Sequence, residues 1–193
     1  MSKVTDSADI EALRAQVVRL TGEVERLTLR AEQAEALAAH DSLTGILNRR
    51  GFIDQVVRTM AYSRRHQVAA VLIYLDMDGF KQINDQLGHA AGDAALICVA
   101  QVLMANVRGS DAVGRIGGDE FALVLLNAGF EQGLAKAEQM QAHLDRAGFA
   151  FEGQAARLGG SFGVRMLDDQ KDAEQWLAEA DAAMWENKRR RRG

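Results

Sequence analysis

The stretch Arg115-Ile116-Gly117-Gly118-Asp119-Glu120-Phe121 lies between apolar residues that begin at Val113 and continue to Leu126. This pattern predicts two short strands joined by a turn, with two glycines and two adjacent carboxylates at the tip. Glycines permit positive φ there and let a ligand approach closely, since no Cβ stands in the way. Adjacent acids on such a tip repel each other and add nothing to a core. The stretch therefore predicts a hairpin that carries a cation-dependent site.

Composition limits the other possibilities. The chain has 193 residues, of which 48% are apolar, and a formal net charge of −4, so it can bury one core and is not expected to bind nucleic acid. Its one cysteine, Cys98, cannot form an internal disulfide. No apolar run is long enough to span a bilayer, and the N-terminus lacks a secretory apolar segment. We therefore expect a cytoplasmic protein with no membrane partner.

The first forty residues carry a heptad pattern. Apolar residues recur at alternating spacings of three and four, at Ile10, Leu13, Val17, Leu20, Val24, Leu27, Ala31, Ala34 and Ala38. β-Branched residues at the first heptad position and leucine at the fourth favour a parallel two-stranded coiled coil over an amphipathic helix lying on its own domain. The pattern predicts a helix over about 8–39. We expect residues 1–40 to form a dimerisation and signalling helix and residues 41–193 to form the globular domain.

Strand-like and helix-like segments alternate in the globular part, which predicts an α/β fold with a mixed central sheet covered by helices. An unbroken apolar run at Val68–Leu75 predicts a buried strand. The pattern after the hairpin predicts a strand at Ala155–Met166. The expected helices are Asn48–Arg65, Asp93–Val107, Glu131–Ala147 and Asp172–Arg190.

A second set of polar residues follows the buried strand, in Asp76-Met77-Asp78-Gly79-Phe80-Lys81. A carboxylate at a strand end is well placed to hold a metal, and a turn containing Gly79 frees backbone N–H groups for phosphates. If the hairpin is the neighbouring strand pair, Asp76 meets Asp119 and Glu120. Carboxylates from adjacent strands suit Mg²⁺, which keeps waters and substrate phosphates as its other ligands. Asp76-x-Asp78 alone would be read as a strand-end turn, but together with the tip acids and Lys81 it predicts a phosphoryl-transfer site.

With these residues in place, the chain resembles the GGDEF-domain diguanylate cyclases over about residues 41–192. The resemblance rests on five motifs in the family's order: Asp41-Ser42-Leu43-Thr44-Gly45, Asp76–Asp85, Gly88-His89-Ala90-Ala91-Gly92-Asp93, Gly117–Phe121 and Ala180–Trp185 ahead of Lys188. Five motifs together are far more specific than any one of them.

The resemblance implies that two GTP molecules condense to cyclic di-GMP with release of two pyrophosphates in a homodimer. It assigns a Mg²⁺ (or Mn²⁺) site to Asp76, the Met77 carbonyl, Asp119 and Glu120. It assigns guanine binding to Asn84 and Asp93. The other substrate-binding residues that it implies are Gly79, Phe80, Lys81, Gly117, Gly118, Lys188 and Arg192.

Arg108-Gly109-Ser110-Asp111 matches the family's RxxD site, which binds cyclic di-GMP as an inhibitor. Many members complete this site with an arginine from the next helix, where this chain reads Gln139-Met140-Gln141. The sequence therefore does not decide whether bound cyclic di-GMP cross-links two domains. The alternative interpretation of an isolated Arg-x-x-Asp is a polar loop. The alternative interpretation of the run from Lys188 to Arg192 is a solvated basic tail. We also expect Asp41 to pair with Arg50.

Two other function classes remain. A catalytically idle domain would sense GTP or cyclic di-GMP through Arg108 and Asp111. A scaffold would dimerise only, and its nucleotide motifs would then be superfluous. Idle members of the family usually lose the tip acids or the strand-end Asp, and this chain has Asp76, Asp119 and Glu120. The enzyme is therefore the favoured reading.

Overall fold

A computed structural model describes residues 2–192, with side chains described for residues 11–28, 30 and 39–190. The helices are α1 Ser2–Ala38, α2 Arg49–His66, α3 Phe80–Leu87, α4 His89–Ala105, α5 Phe130–Arg146 and α6 Ala173–Arg192. The strands are β1 Ala70–Met77, β2 Ala112–Arg115, β3 Glu120–Leu126, β4 Phe149–Phe151, β5 Gln154–Ala156 and β6 Gly160–Met166. The chain divides into two compact units, one through Ala38 and the other from Ala39 onward.

The central sheet has four strands in the order β2-β3-β1-β6, and β4 and β5 form a separate hairpin. Each neighbouring pair of the central sheet is antiparallel. The helices α3 and α4 connect β1 to β2, which runs in the same direction as β1 but lies at the edge of the sheet. The turn after β2 then places β3 between β2 and β1. This is a split βαβ arrangement, in which the chain returns through the gap between two parallel strands.

Two apolar cores lie on the two faces of the sheet, because successive side chains of a strand point to opposite sides. Val71, Ile73 and Leu75 join the core formed with α3, α4 and α5. Leu72 and Tyr74 join the core formed with α2 and α6. Continuing the alternation, Asp76 lies on the α6 side at the end of β1.

The predicted α/β class, with helices covering a central sheet, is confirmed. The prediction of mixed strand directions is corrected in one respect: each of the four strands is antiparallel to its neighbours in the sheet. Among residues 2–192, the parallel pairing is an isolated bridge between Leu47 and Gly114. The first strand extends to Met77, beyond the predicted Leu75, so Asp76 lies inside the strand. The helix predicted from Asp93 begins at His89, because Gly88, at φ 84°, ends α3 and starts α4 directly. The segment predicted as one strand from Ala155 is a hairpin strand followed by β6.

Helix α1 begins at Ser2, six residues before the predicted start, and ends at Ala38. Its heptad residues with described side chains are between 46% and 61% exposed, namely Leu13, Val17, Leu20, Val24 and Leu27. The remaining heptad residues, Ile10, Ala31, Ala34 and Ala38, lie outside the described side chains. Within the described chain, no helix combines the length and the apolarity that crossing a bilayer requires.

Candidate active site

The sheet register brings the two predicted halves of the site together. Asp76 of β1 lies directly opposite Glu120 of β3. Asp119, the last residue of the turn, accepts a hydrogen bond at its carbonyl from the Met77 N–H at 3.0 Å. The Met77 side chain is buried, so only its backbone faces the site. Long-range strand pairing therefore places Asp76, Met77, Asp119 and Glu120 at one end of the sheet.

Helix α6 adds a cation to these acids. The Lys188 ammonium donates a hydrogen bond to Asp76 Oδ1 and lies 3.9 Å from Asp78 Oδ1. Ser161, the β6 residue opposite Asp76, donates its hydroxyl hydrogen bond to Asp78 at 2.9 Å. The Lys188 side chain is only 11% exposed, and its Nζ lies 5.3 Å from the Trp185 ring centre. This lysine is thus held at the carboxylate centre and is not part of a solvated tail.

The pKa values of Asp119 and Glu120 are raised. Burial raises the pKa of Asp119, and the charge of Asp76 adds to that effect. Burial also raises the pKa of Glu120, as do the charges of Asp181, Asp76 and Asp119, although a hydrogen bond with Tyr74 opposes them. The Tyr74 pKa is raised above its ordinary value, first by burial and then by the Glu120 charge. Such mutual repulsion makes the centre a favourable place for added positive charge.

The two tip glycines have different surroundings. A Cβ on Gly117 would lie 2.0 Å from Glu120 Oε2, so this glycine makes room for the glutamate carboxylate. A Cβ on Gly118 would meet nothing within 4 Å. Gly118 therefore leaves the outer side of the hairpin open, whereas Gly117 is required by the site itself.

The hairpin is tied to the loop that precedes α2. Arg115 donates from Nη1 to both Asp41 carboxylate oxygens at 3.2 and 3.3 Å, and from Nε and Nη2 to the Gly118 carbonyl at 3.1 and 2.7 Å. The Thr44 N–H and hydroxyl also donate to Asp41. The predicted Asp41–Arg50 pair is wrong: the partner is Arg115, which the β2–β3 pairing brings near Asp41 from 74 residues away.

The start of α3 offers unpaired backbone donors beside the acids. Gly79 is the N-cap with φ 76°, and no side chain caps the helix. The first N–H groups of a helix have no acceptor within it, so those of Gly79 and Phe80 are available to an anion. Lys81 follows them, with an exposed side chain.

The two predicted guanine-binding residues lie on the packed helices α3 and α4. The Asn84 carboxamide lies over the Gly92 backbone, where a Cβ would be 2.0 Å from Asn84 Oδ1. Asp93 is the next residue and is exposed. The missing side chain at Gly92 thus makes room for the Asn84 carboxamide.

A divalent cation fits the donor set. Asp76, Asp119 and Glu120 bring carboxylate oxygens to one end of the sheet, and such hard oxygens are the ligands that Mg²⁺ and Mn²⁺ prefer. The buried Asp181 Oδ1 has no hydrogen-bond partner within the described residues. Among the side chains that the structure describes, no three acidic, histidine or cysteine groups converge enough to hold an ion by themselves. This agrees with an ion that takes some of its ligands from water and substrate phosphates.

The RxxD residues lie apart from this centre, in the loop between α4 and β2. Asp111 Oδ2 accepts from the Arg108 N–H at 3.0 Å, and its Oδ1 accepts from the Leu126 N–H at 3.3 Å. The two residues line a cavity of about 120 Å³ together with Lys136. Asp111 therefore orders the loop, and the exposed Arg108 side chain stays at the cavity.

Of the predicted phosphate-binding residues, Lys188 is at the centre, whereas the Arg192 side chain lies outside the described residues. Three further residues near these acids, Tyr74, Ser161 and Asp181, are not part of the predicted site. A usable signal existed for Asp181, which precedes Lys188 by seven residues and so lies on the same face of a helix.

Comparison with known proteins agrees with this geometry. Residues 38–193 match the family model described as diguanylate cyclase, GGDEF domain. The probable diguanylate cyclase DgcE of Escherichia coli K12 is 36% identical over 158 residues, which cover 81% of this chain and 14% of DgcE. The diguanylate cyclase DosC of the same strain is 36% identical over 171 residues, covering 86% of this chain and 37% of DosC. This chain thus spans well under half of both relatives.

A solved structure resembles the chain over nearly its whole length. It is the crystal structure of the coiled coil and GGDEF domain of DgcB from Caulobacter crescentus in complex with c-di-GMP. The TM-score is 0.80 at 27% identity, covering 92% of this chain and 94% of that one. The fold, the paired carboxylates at the hairpin and the matched family model lead to one conclusion: this chain belongs to the GGDEF-domain family of diguanylate cyclases.

Proposed function

We propose that the chain condenses two GTP molecules into cyclic di-GMP. The 3′-hydroxyl oxygen of each GTP attacks the α-phosphorus of the other and loses its proton. Each attack breaks the bond to one pyrophosphate, so two pyrophosphates leave. The observation that carries this proposal is the direct pairing of Asp76 with Glu120, beside the free N–H groups at the start of α3. GTP is a nucleotide of the cell interior, so we propose a cytoplasmic location.

Asp76, the Met77 carbonyl, Asp119 and Glu120 would hold Mg²⁺ or Mn²⁺. When bound, the ion supplies positive charge for the transferring phosphoryl group and for the attacking oxygen. The chain's own residues do the positioning. Glu120 lies directly opposite Asp76 in the strand pairing, and the missing side chain at Gly117 leaves room for its carboxylate. Preorganised charges of this kind usually supply the largest part of catalysis.

Phosphate binding would use the Gly79 and Phe80 N–H groups together with the Lys81, Lys188 and Arg192 side chains. Lys188 is close to Asp76 and Asp78, so it can neutralise charge where the triphosphate and the carboxylates meet. The open outer side of the hairpin leaves space for the nucleotide.

Guanine selection would rest on Asn84 and Asp93. A carboxylate accepts hydrogen bonds from the N1–H and the 2-amino group of guanine. Adenine lacks this donor pair, and a binding site left with an unpaired acceptor discriminates strongly against it. We therefore expect turnover of GTP and not of ATP.

The dimer follows from the chemistry, since one domain holds one GTP and the ring needs two. We propose that residues 1–40 form a parallel coiled coil with a second chain and that residues 41–193 form the cyclase domain. The exposed heptad face of α1 supports this, as does the coiled coil of the similar DgcB structure. Tethering two domains in this way gives an effective concentration of about millimolar.

Light scattering at micromolar concentration tests the dimer. Leu20→Asp puts a charge on the heptad face and is expected to yield monomers. Val18→Asp is the matched control, because Val18 is exposed but lies off that face. A monomeric wild type, or two variants that behave alike, would contradict the coiled coil.

We also propose product inhibition at Arg108 and Asp111. The exposed Arg108 guanidinium beside the small cavity supports binding of an anionic guanine nucleotide. Arg108→Ala is expected to relieve inhibition by added cyclic di-GMP and to leave the initial rate unchanged. Inhibition that persists in this variant would refute the site.

Incubation with GTP and Mg²⁺, followed by chromatographic separation of the nucleotides, tests the activity. Asp76→Ala is expected to abolish cyclic di-GMP formation. Asp54→Ala is the control, because it removes an exposed carboxylate of α2. Unchanged turnover in Asp76→Ala would refute the metal assignment. Retained GTP binding by a wild type that forms no product would favour the sensor.

A further inference from the structure

Asp181 of α6 has a buried oxygen that makes no hydrogen bond. Its Oδ1 is enclosed and has no partner within the described residues. Leaving a carboxylate oxygen buried and unpaired costs free energy, so such a group in a folded protein needs an explanation. Helix capping does not supply one, because Asp181 lies in the middle of Ala173–Arg192. Neither do the described ion pairs, which place Lys188 on Asp76 and Asp78 and leave Asp181 without a cation.

The packing of α6 against the sheet places Asp181 beside the active site. A Cβ on Gly163 would lie 2.1 Å from the Ala180 carbonyl oxygen and 2.3 Å from the Met184 nitrogen, so the helix rests directly on β6 there. Gly163 is the β6 residue opposite Tyr74 of β1. The helical turn that contains Asp181 therefore lies on the α6 face next to Tyr74, two residues before Asp76.

The helix repeat then gives Asp181 and Lys188 complementary positions. Seven residues are about two turns, so both side chains project from the same face, separated by about 10 Å along the axis. Lys188 contacts Asp76, whereas the turn that contains Asp181 packs beside Tyr74, nearer the middle of β1.

Electrostatic coupling agrees with this placement. Burial raises the pKa of Asp181, and the charge of Asp76 raises it further. Among the charges that raise the pKa of Glu120, Asp181 has the largest effect, ahead of Asp76 and Asp119. Asp181 thus increases the negative potential at the acids that are proposed to hold a cation.

We propose that Asp181 is a further carboxylate of the divalent-cation centre, which adds charge and an acceptor oxygen from α6. This inference rests on the proposed function, because it extends the same site. The described acids do not form a closed ligand cage. Asp181 therefore acts from α6, beside the sheet acids, to strengthen the binding of Mg²⁺ or Mn²⁺ by the centre.

Mn²⁺ binding to the full chain without nucleotide tests the role. Electron paramagnetic resonance measures free Mn²⁺ during titration of the wild type, of Asp181→Asn and of Glu186→Gln. Glu186 is on the same helix and exposed, so its variant controls for the loss of one negative charge. Asp181→Asn is expected to weaken Mn²⁺ binding by about 10- to 100-fold, as losses of supporting groups at metal sites do. Unchanged affinity, or a wild type that binds no Mn²⁺, overturns the proposal.

Thermal unfolding separates this role from a structural one. Asp181→Asn removes a negative charge that neighbouring acids repel, so without divalent ions its Tm is expected to equal or exceed that of the wild type. The rise in Tm on adding Mn²⁺ is expected to be smaller than in the wild type. A lower Tm with the full Mn²⁺-dependent rise would mean that Asp181 only supports the fold. A chain that shows the Mn²⁺ effect but forms no cyclic di-GMP would keep this inference and refute the proposed activity.

Discussion

Breaking the ion pair between Asp41 and Arg115 is expected to destabilise the globular domain measurably. Both side chains are largely buried, at 21% and 16% exposure, and Arg115 Nη1 contacts both carboxylate oxygens. Burial tends to raise the pKa of Asp41, but the hydrogen bonds from Thr44 and the Arg115 charge outweigh it and leave the pKa below 3.8. The pair therefore stabilises the fold with Asp41 ionised.

The magnitude follows from the degree of burial. Exposed pairs contribute about 0.2–1 kcal/mol, whereas breaking a fully buried pair costs about 3–5 kcal/mol. For this mostly buried pair we expect a coupling free energy of about 2 kcal/mol, and each single variant should lower Tm by about 4–8 °C in a chain of this size. Because folding lowers the pKa of the Asp41 carboxyl, this stabilisation is fully present at pH values above the pKa that Asp41 has in the unfolded chain. The coupling should therefore hold from pH 8 to pH 5 and decline only below about pH 3.8.

A double-mutant cycle measures this coupling free energy, with Asp41→Asn, Arg115→Gln and the double variant unfolded in urea. Tryptophan fluorescence reports the globular unit alone, because both tryptophans, Trp176 and Trp185, are on α6. The control cycle uses Arg49 and Glu174, which are paired at 2.8 Å but 55% and 60% exposed. A coupling no larger than that of the control pair would refute the reasoning.

Two glycine substitutions give contrasting expectations. Gly92→Ala places a Cβ 2.0 Å from Asn84 Oδ1, which is the movable end of a side chain, so the Tm should hardly change. The displaced Asn84 should raise the KM for GTP about 10-fold or more. An unchanged KM would show that Asn84 does not bind guanine. Gly163→Ala places a Cβ 2.1 Å from the Ala180 carbonyl, which is backbone, so we expect a loss of about 1–3 kcal/mol in urea unfolding. Gly109→Ala, with nothing within 4 Å, is the control, and equal effects at Gly163 and Gly109 would contradict the close packing of α6.

Local sequence patterns were sufficient for the hairpin and for the strand that ends in acids. The apolar run of β1 and the glycine-acid turn each imply their structure within about ten residues. The meeting of Asp76 with Glu120 required one further assumption, that the hairpin neighbours β1, and the register confirms it.

Contacts between distant elements could not be read in this way. Asp41 pairs with Arg115 and not with Arg50, the partner expected from the sequence, because the β2–β3 pairing brings Arg115 close to Asp41. Trp176 and Trp185 illustrate the same limit. Both lie on α6, yet Trp176 is fully buried and Trp185 is half exposed beside Lys188. Which face of α6 meets the sheet depends on tertiary packing, and the helical repeat alone does not settle it.

The most direct test of the central claim is the stoichiometry of the reaction of the intact chain with GTP and Mg²⁺. We predict that one cyclic di-GMP and two pyrophosphates form for every two GTP consumed. Glu120→Ala should form none while still binding GTP. A wild type that binds GTP without forming cyclic di-GMP, or a Glu120→Ala chain as active as the wild type, would contradict the claim that these paired carboxylates are a cyclase centre.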